Sequence, residues 1–138
     1  MRANEDTRVA AVVPFYGPFD LVSRVEPDGK LSPVMQALFG RETFDATTEA
    51  LMHAASPVLN VRSGLPPFLL VHGTADTRVP FQQSVDLHAA LGRVGVPCEL
   101  ISIPGGNHGM KGWATLKSDY QAQIIAWLRR TLGAMTKS

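Results

Sequence analysis

Cysteine is almost missing from this chain: Cys98 is the single one. A lone cysteine excludes an internal disulfide framework, and no ligand spacing surrounds it. It sits in an apolar, strand-like stretch and reads as a small buried residue, not a reactive thiol. Long hydrophobic runs are also absent. None approaches the ~18 residues of a membrane helix, so no membrane partner is expected. Charge of one sign is missing too. The formal net charge is +1 and the basic residues are scattered apart from Arg129-Arg130, so no nucleic-acid partner is expected either. That pair falls near the end of a helix, where cations oppose the negative dipole end. His53 and His88 have no partner at metal-ligand spacing, so neither a metal nor another cofactor is expected. No secretory signal pattern appears, and the compartment stays open with the cytoplasm favoured. Finally, no Gly-x-Ser-x-Gly occurs anywhere.

What is present suits a globular domain. The chain has 138 residues, 45% of them hydrophobic and 18% charged. That is the size of one domain, spanning 1–138, with enough apolar residues for a sizeable core. Three apolar runs read as strands. Val9–Val13 is continuous, β-branched and closed by Pro14-Phe15-Tyr16-Gly17-Pro18, the pattern of a strand buried on both faces. Phe68–Gly73 is a second such run. Cys98–Pro104 is a third, and its partial alternation places it nearer a sheet edge.

Helical patterns separate these runs. Pro80 suits the first turn of a helix over Phe81–Gly92, with Val85, His88 or Ala89, and Leu91 as its apolar stripe. Ser118–Leu132 is the clearest helix. Tyr120, Ile124, Trp127, Leu128 and Leu132 form one face of it, and Gly133 ends the pattern. Ser32-Pro33 caps a short helix to Phe39, and Ala46–Ala55 forms another, ended by Ser56-Pro57. Met1-Arg2-Ala3-Asn4 has the look of a helix tail. Alternating strands and helices imply right-handed crossovers, and hence a three-layer α/β fold: a parallel sheet with flanking helices.

In such sheets ligands bind outside the carboxyl ends of the strands. Asp76 follows Val71-His72-Gly73-Thr74-Ala75, and His108 follows Pro104-Gly105-Gly106-Asn107. The architecture puts both on one rim. An acid and a base so placed are the second and third members of a nucleophile–base–acid triad.

These motifs resemble the C-terminal half of an α/β-hydrolase, of the esterase/lipase type close to the feruloyl and carboxyl esterases and the prolyl-oligopeptidase-like peptidases. The similarity is carried by Arg8–Asp20, Ala55-Ser56-Pro57-Val58, Pro66–Asp76, Val79-Pro80 and Gly105-Gly106-Asn107-His108-Gly109. The resemblance implies that the strands are the sixth, seventh and eighth of an eight-stranded sheet. It also implies that Asp76 is the triad acid and His108 the triad base. The front strands and the nucleophile elbow have no counterpart, so the fold is expected to be partial and the chain a piece of a longer one.

The function implied is carboxylic ester hydrolysis on a small-molecule ester, with this chain supplying acid and base and being inactive alone. A peptidase-type hydrolase fragment and a non-catalytic self-associating domain are the alternatives. None of Ser23, Ser32, Ser56, Ser63, Ser84, Ser102 and Ser118 sits on an elbow. Ser32 and Ser118 look like caps, and Ser56 like a turn residue. His72 reads as a hydrogen-bonded core histidine and Asp20 as a loop anchor. Phe19, Met110 and Trp113 are candidates for an apolar wall. The edge of Val9–Val13 should be open, inviting a second copy of the chain or the absent half.

Overall fold

The computed structural model describes residues 8–135. The expected helix tail at Met1-Arg2-Ala3-Asn4 lies outside the described residues. Seven elements matter here: α1 (Pro33–Phe39), α2 (Ala46–Ala55), β1 (Phe68–Gly73), α3 (Gln82–Arg93), β2 (Cys98–Ile103), α4 (Trp113–Leu116) and α5 (Tyr120–Met135). No helix among the described residues is long and apolar enough to cross a membrane.

β1 and β2 pair in parallel, in a register that sets Phe68 opposite Cys98 and Gly73 opposite Ile103. All of β1 beyond Phe68 is buried, whereas β2 alternates towards its end, with Ile101 and Ile103 buried and Ser102 exposed. β2 is thus an outer strand. Its Glu99 meets Arg130 of α5 at 3.0 Å.

Among the described residues the expected three-stranded sheet is corrected to two strands. Val9–Val13 is not a strand of its own: Val9 is 60% exposed, and pairing with β1 amounts to isolated parallel bridges, Val12–Phe68 in this run and Phe15–Val71 just after it. The reason lies in the sequence. Pro14 offers no N–H to a ladder, and Tyr16 turns the chain away with φ +40°. The segment still lies along β1, because Val12 N–H donates to the Pro67 carbonyl at 2.9 Å and Tyr16 N–H to the Val71 carbonyl at 2.9 Å.

One face of the β pair is covered by α5. Leu69, Val71, Ile101 and Ile103 pack there with Trp113, Tyr120 and Trp127. On the other face Leu70 packs with Leu87 and Leu91 of α3 and with Phe19. The expected α3 stripe needs revision. Its buried residues are Gln83, Ser84, Leu87, Ala90 and Leu91, while His88 and Ala89 are exposed. Two polar residues hold the inner positions because each has partners there. Gln83 Oε1 accepts from the Phe19 and Asp20 N–H groups at 2.6 and 3.0 Å, and Ser84 meets His72. α5 begins at Tyr120 and continues past Gly133. An exposed glycine costs a helix only about 1 kcal/mol, too little to stop one that is anchored by Tyr120 and Trp127.

Between the paired segments lies a smaller layer. Leu21, Leu31, Met35 and Met52 bury one another. Ser32 accepts from the Met35 N–H at 3.4 Å at the start of α1, and Asp45 from the Thr48 N–H at 2.8 Å at the start of α2. Ser56 is fully buried, accepting from the Leu21 N–H at 2.9 Å and donating to the Met52 carbonyl at 2.7 Å.

Candidate active site

The turn after β1 is built by its own aspartate. Asp76 Oδ1 accepts from the Arg78 N–H at 2.8 Å and the Val79 N–H at 2.9 Å, an Asx-type turn that fixes the side chain. The other oxygen is left for imidazoles. Oδ2 lies 2.8 Å from His108 Nδ1 and 3.2 Å from His72 Nε2. The Asp76 side chain is fully buried and that of His108 is 24% exposed. Two residues 32 positions apart in sequence are thereby in direct contact.

The two loops are laced together. Thr74 N–H donates to the Ile103 carbonyl at 3.0 Å, and Ala75 N–H to the Gly106 carbonyl at 2.9 Å. Gly105 N–H donates to Thr74 Oγ1 at 2.9 Å. Glycine is required at both crossing points. A Cβ on Gly73 would run into the Gly106 carbonyl, and one on Gly106 would meet Ile103 Cγ2 and Trp113 Nε1, each at 2.9 Å.

Asn107 is the residue that sequence reasoning missed as a support. Its Oδ1 accepts from the Thr77 N–H at 3.2 Å and from the His108 N–H at 2.7 Å, and its carbonyl accepts from Trp113 Nε1 at 3.0 Å. It ties the acid loop to the base loop, and its place next to His108 was the available signal.

Hydrogen-bond chemistry fixes the protons. A carboxylate only accepts, so the contact with Asp76 places a proton on His108 Nδ1. His108 Nε2 is then the lone-pair nitrogen of the neutral ring, and it has no hydrogen-bond partner among the described residues. His72 Nε2 faces Asp76 Oδ2 and the Val79 carbonyl at 3.0 Å, both acceptors, so it carries a proton as well. His72 Nδ1 then accepts from the Ser84 hydroxyl at 2.6 Å when the ring is neutral. Burial raises the Asp76 carboxyl pKa, but hydrogen bonds from the Val79 N–H, the His108 ring and the Arg78 N–H outweigh it. The carboxyl is held below its ordinary value and stays ionised at neutral pH.

The His108 ring lines a cavity of about 650 Å3, together with Tyr16, Arg24, Met35 and Arg78 among others. Tyr16 packs on that ring, with centroids 4.6 Å apart, and stands edge-on to Trp113 at 5.6 Å. A tyrosine at positive φ is unusual and signals a position over-determined by its surroundings. Of the three candidates for an apolar wall, none lines this cavity. Trp113 is fully buried beneath the loop, Phe19 belongs to the α3 side of the core, and Met110 is exposed. Among the described residues no serine hydroxyl bonds the His108 ring. Ser84 is buried against His72, Ser56 is buried in the turn before Val58, and Ser23 donates to the Asp20 carbonyl at 3.0 Å. Asp20 Oδ1 in turn accepts from the Ser23 N–H at 3.1 Å, an anchoring role. No group of His, Cys, Asp and Glu among the described residues is placed to hold a metal ion.

A parallel strand pair flanked by helices, with a buried carboxylate after one strand gripping a histidine after the next, defines a chain of the α/β-hydrolase class. The chain belongs to the BD-FAE family, which it matches over residues 1–91. It is 31% identical over 122 residues to esterase LipQ of Mycobacterium tuberculosis, an alignment covering 88% of this chain and 29% of LipQ. In structure it is similar to an acetyl ester-xyloside bifunctional hydrolase from Caldicellulosiruptor lactoaceticus, with a TM-score of 0.73 and 25% identity, covering 94% of this chain and 47% of that one. It is also similar to a puromycin-hydrolyzing peptidase of Mycobacterium tuberculosis, with a TM-score of 0.71 and 27% identity, covering 89% of this chain and 18% of that one. The chain spans less than half the length of each of these three relatives.

Proposed function

We propose that this chain supplies the acid–base half of a carboxylic ester hydrolase, with His108 as the base and Asp76 as the acid that orients it. The observation carrying this reading is the 2.8 Å contact between Asp76 Oδ2 and His108 Nδ1 beside a ligand-sized cavity. His108 Nε2 takes the proton of a hydroxyl nucleophile as that oxygen attacks the ester carbonyl, and returns it to the departing alcohol. Asp76 keeps Nδ1 protonated and stabilises the imidazolium in between. His72 and the two turn N–H groups hold the carboxylate in place. The nucleophile comes from outside the described serines, so the chain alone does not turn over.

The test is complementation. The chain is mixed with a separately produced segment carrying Gly-x-Ser-x-Gly from an esterase relative and assayed on a short-chain p-nitrophenyl ester. Turnover is expected only in the mixture, and it should vanish in His108→Ala. Activity that survives this substitution sinks the assignment of the base, and labelling of the lone chain by a serine-directed phosphonate sinks its inactivity. The likeness to the puromycin-hydrolyzing peptidase keeps amide cleavage as a second reading, since the same pair serves both reactions; a p-nitroanilide substrate separates them.

The partner that completes the site is proposed to meet the segment before Tyr16. Val12 turns its N–H and carbonyl to β1, so by strand alternation Val13 turns its own to the other side. A second chain, either the complementing segment or another copy, would pair there. Light scattering at high concentration that finds only monomer, alone and with the segment, removes this part of the reading.

A further inference from the structure

The cavity beside His108 is electrostatically one-sided. Arg24 and Arg78 line it, and among the described residues no acidic residue does. The Arg24 guanidinium is fixed by a hydrogen bond from Nη2 to the Arg78 carbonyl at 2.5 Å, which leaves most of its N–H donors unused. Among the described residues no carboxylate lies within ion-pair distance of either arginine. The Asp76 carboxylate, whose turn bonds the Arg78 N–H, is committed to that turn and to the two imidazoles. The rest of the lining includes Phe15, Val34, Met35 and Val79. A guanidinium held in place beside an apolar lining is shaped for a carboxylate.

From this we infer the substrate class of the proposed hydrolase site: an ester that also carries a free carboxylate, bound by Arg24 with its hydrocarbon part against Val34 and Met35. The inference rests on the reading of His108 as the base, because that reading makes the adjoining cavity the substrate's place. Arg24 is then the residue that selects anionic over neutral esters.

The experiment measures binding to the whole chain without turnover, so a failed complementation assay does not decide it. Monomethyl glutarate and dimethyl glutarate are titrated separately at low ionic strength, followed by the NMR signals of the His108 ring and the Arg24 guanidinium. The monoanion is expected to bind about tenfold or more tightly than the diester, as a charge-assisted pair predicts, and to lose that advantage as salt rises. Arg24→Gln should abolish the preference, and Arg24→Lys should keep part of it. Equal affinities, no binding of either probe, or a preference that survives in Arg24→Gln overturns the inference. The comparison of the two probes on the unaltered chain stands even if a variant does not fold.

Discussion

Gly73 and Gly106 touch backbone to backbone, so closely that a methyl group on the first would overlap the carbonyl oxygen of the second. This contact draws the loop after β1 against the loop after β2. It is why an aspartate and a histidine 32 residues apart reach hydrogen-bonding distance.

Gly73→Ala tests that relationship. The new Cβ can be accommodated only by pushing the two loops apart, since the atom it meets is backbone. A loss of about 1–3 kcal/mol in urea unfolding is expected. The Nδ1 proton of His108, seen by NMR in the parent chain, should exchange faster in the variant as its bond to Asp76 lengthens.

Ser84→Ala removes the donor to His72 Nδ1 inside the core. His72 is fully buried and makes its remaining bonds through Nε2. An unsatisfied buried nitrogen costs about 1–3 kcal/mol, and equilibrium unfolding should report a loss in that range. No loss would mean that water or a rearranged ring takes over the bond.

Asp76 links stability to pH. Its folded pKa lies below the ordinary 3.8, so the unfolded chain binds the proton more readily. The carboxylate therefore stabilises the fold above the unfolded value, and that contribution is lost as pH falls through the folded value. Unfolding free energy measured from about pH 6 down to pH 2 should fall in the acid range, and Asp76→Asn should make the profile shallower there. An identical slope in the variant would contradict the assignment.

Cys98 should be a poor nucleophile. Burial, with Glu99 beside it, pushes its thiol pKa up to about 11 from the ordinary 9.0. At neutral pH its thiolate population is then about a hundredfold below that of an ordinary thiol. Alkylation by iodoacetamide should be slower in the native chain than in urea by a similar factor, and equal rates would refute the shift.

Much of this arrangement could be read from the residues. The β1 run Phe68–Gly73 and the capped helices at Ser32-Pro33 and Ala46–Ala55 are local patterns, and local chemistry decided them. Asp76 and His108 stood out because each follows an apolar strand in a Gly-containing loop. The misreadings share one cause. Val9–Val13 has the composition of a strand, but whether it pairs along its length depends on Pro14, Tyr16 and the neighbours the fold offers. On α3, hydropathy pointed to Val85 and Ala89, while Gln83 and Ser84 went inside because distant partners awaited them.

The sequence by itself determined which segments extend or coil and which polar side chains follow the carboxyl ends of the strands, because those follow from short-range sterics and periodicity. Only the tertiary structure decided that Asp76 Oδ2 would hold two imidazoles, that Asn107 would pin both loops, and that Arg24 would reach the cavity wall. Such contacts join residues far apart along the chain. They are set by how β1, β2 and their loops close on one another, which no local pattern encodes.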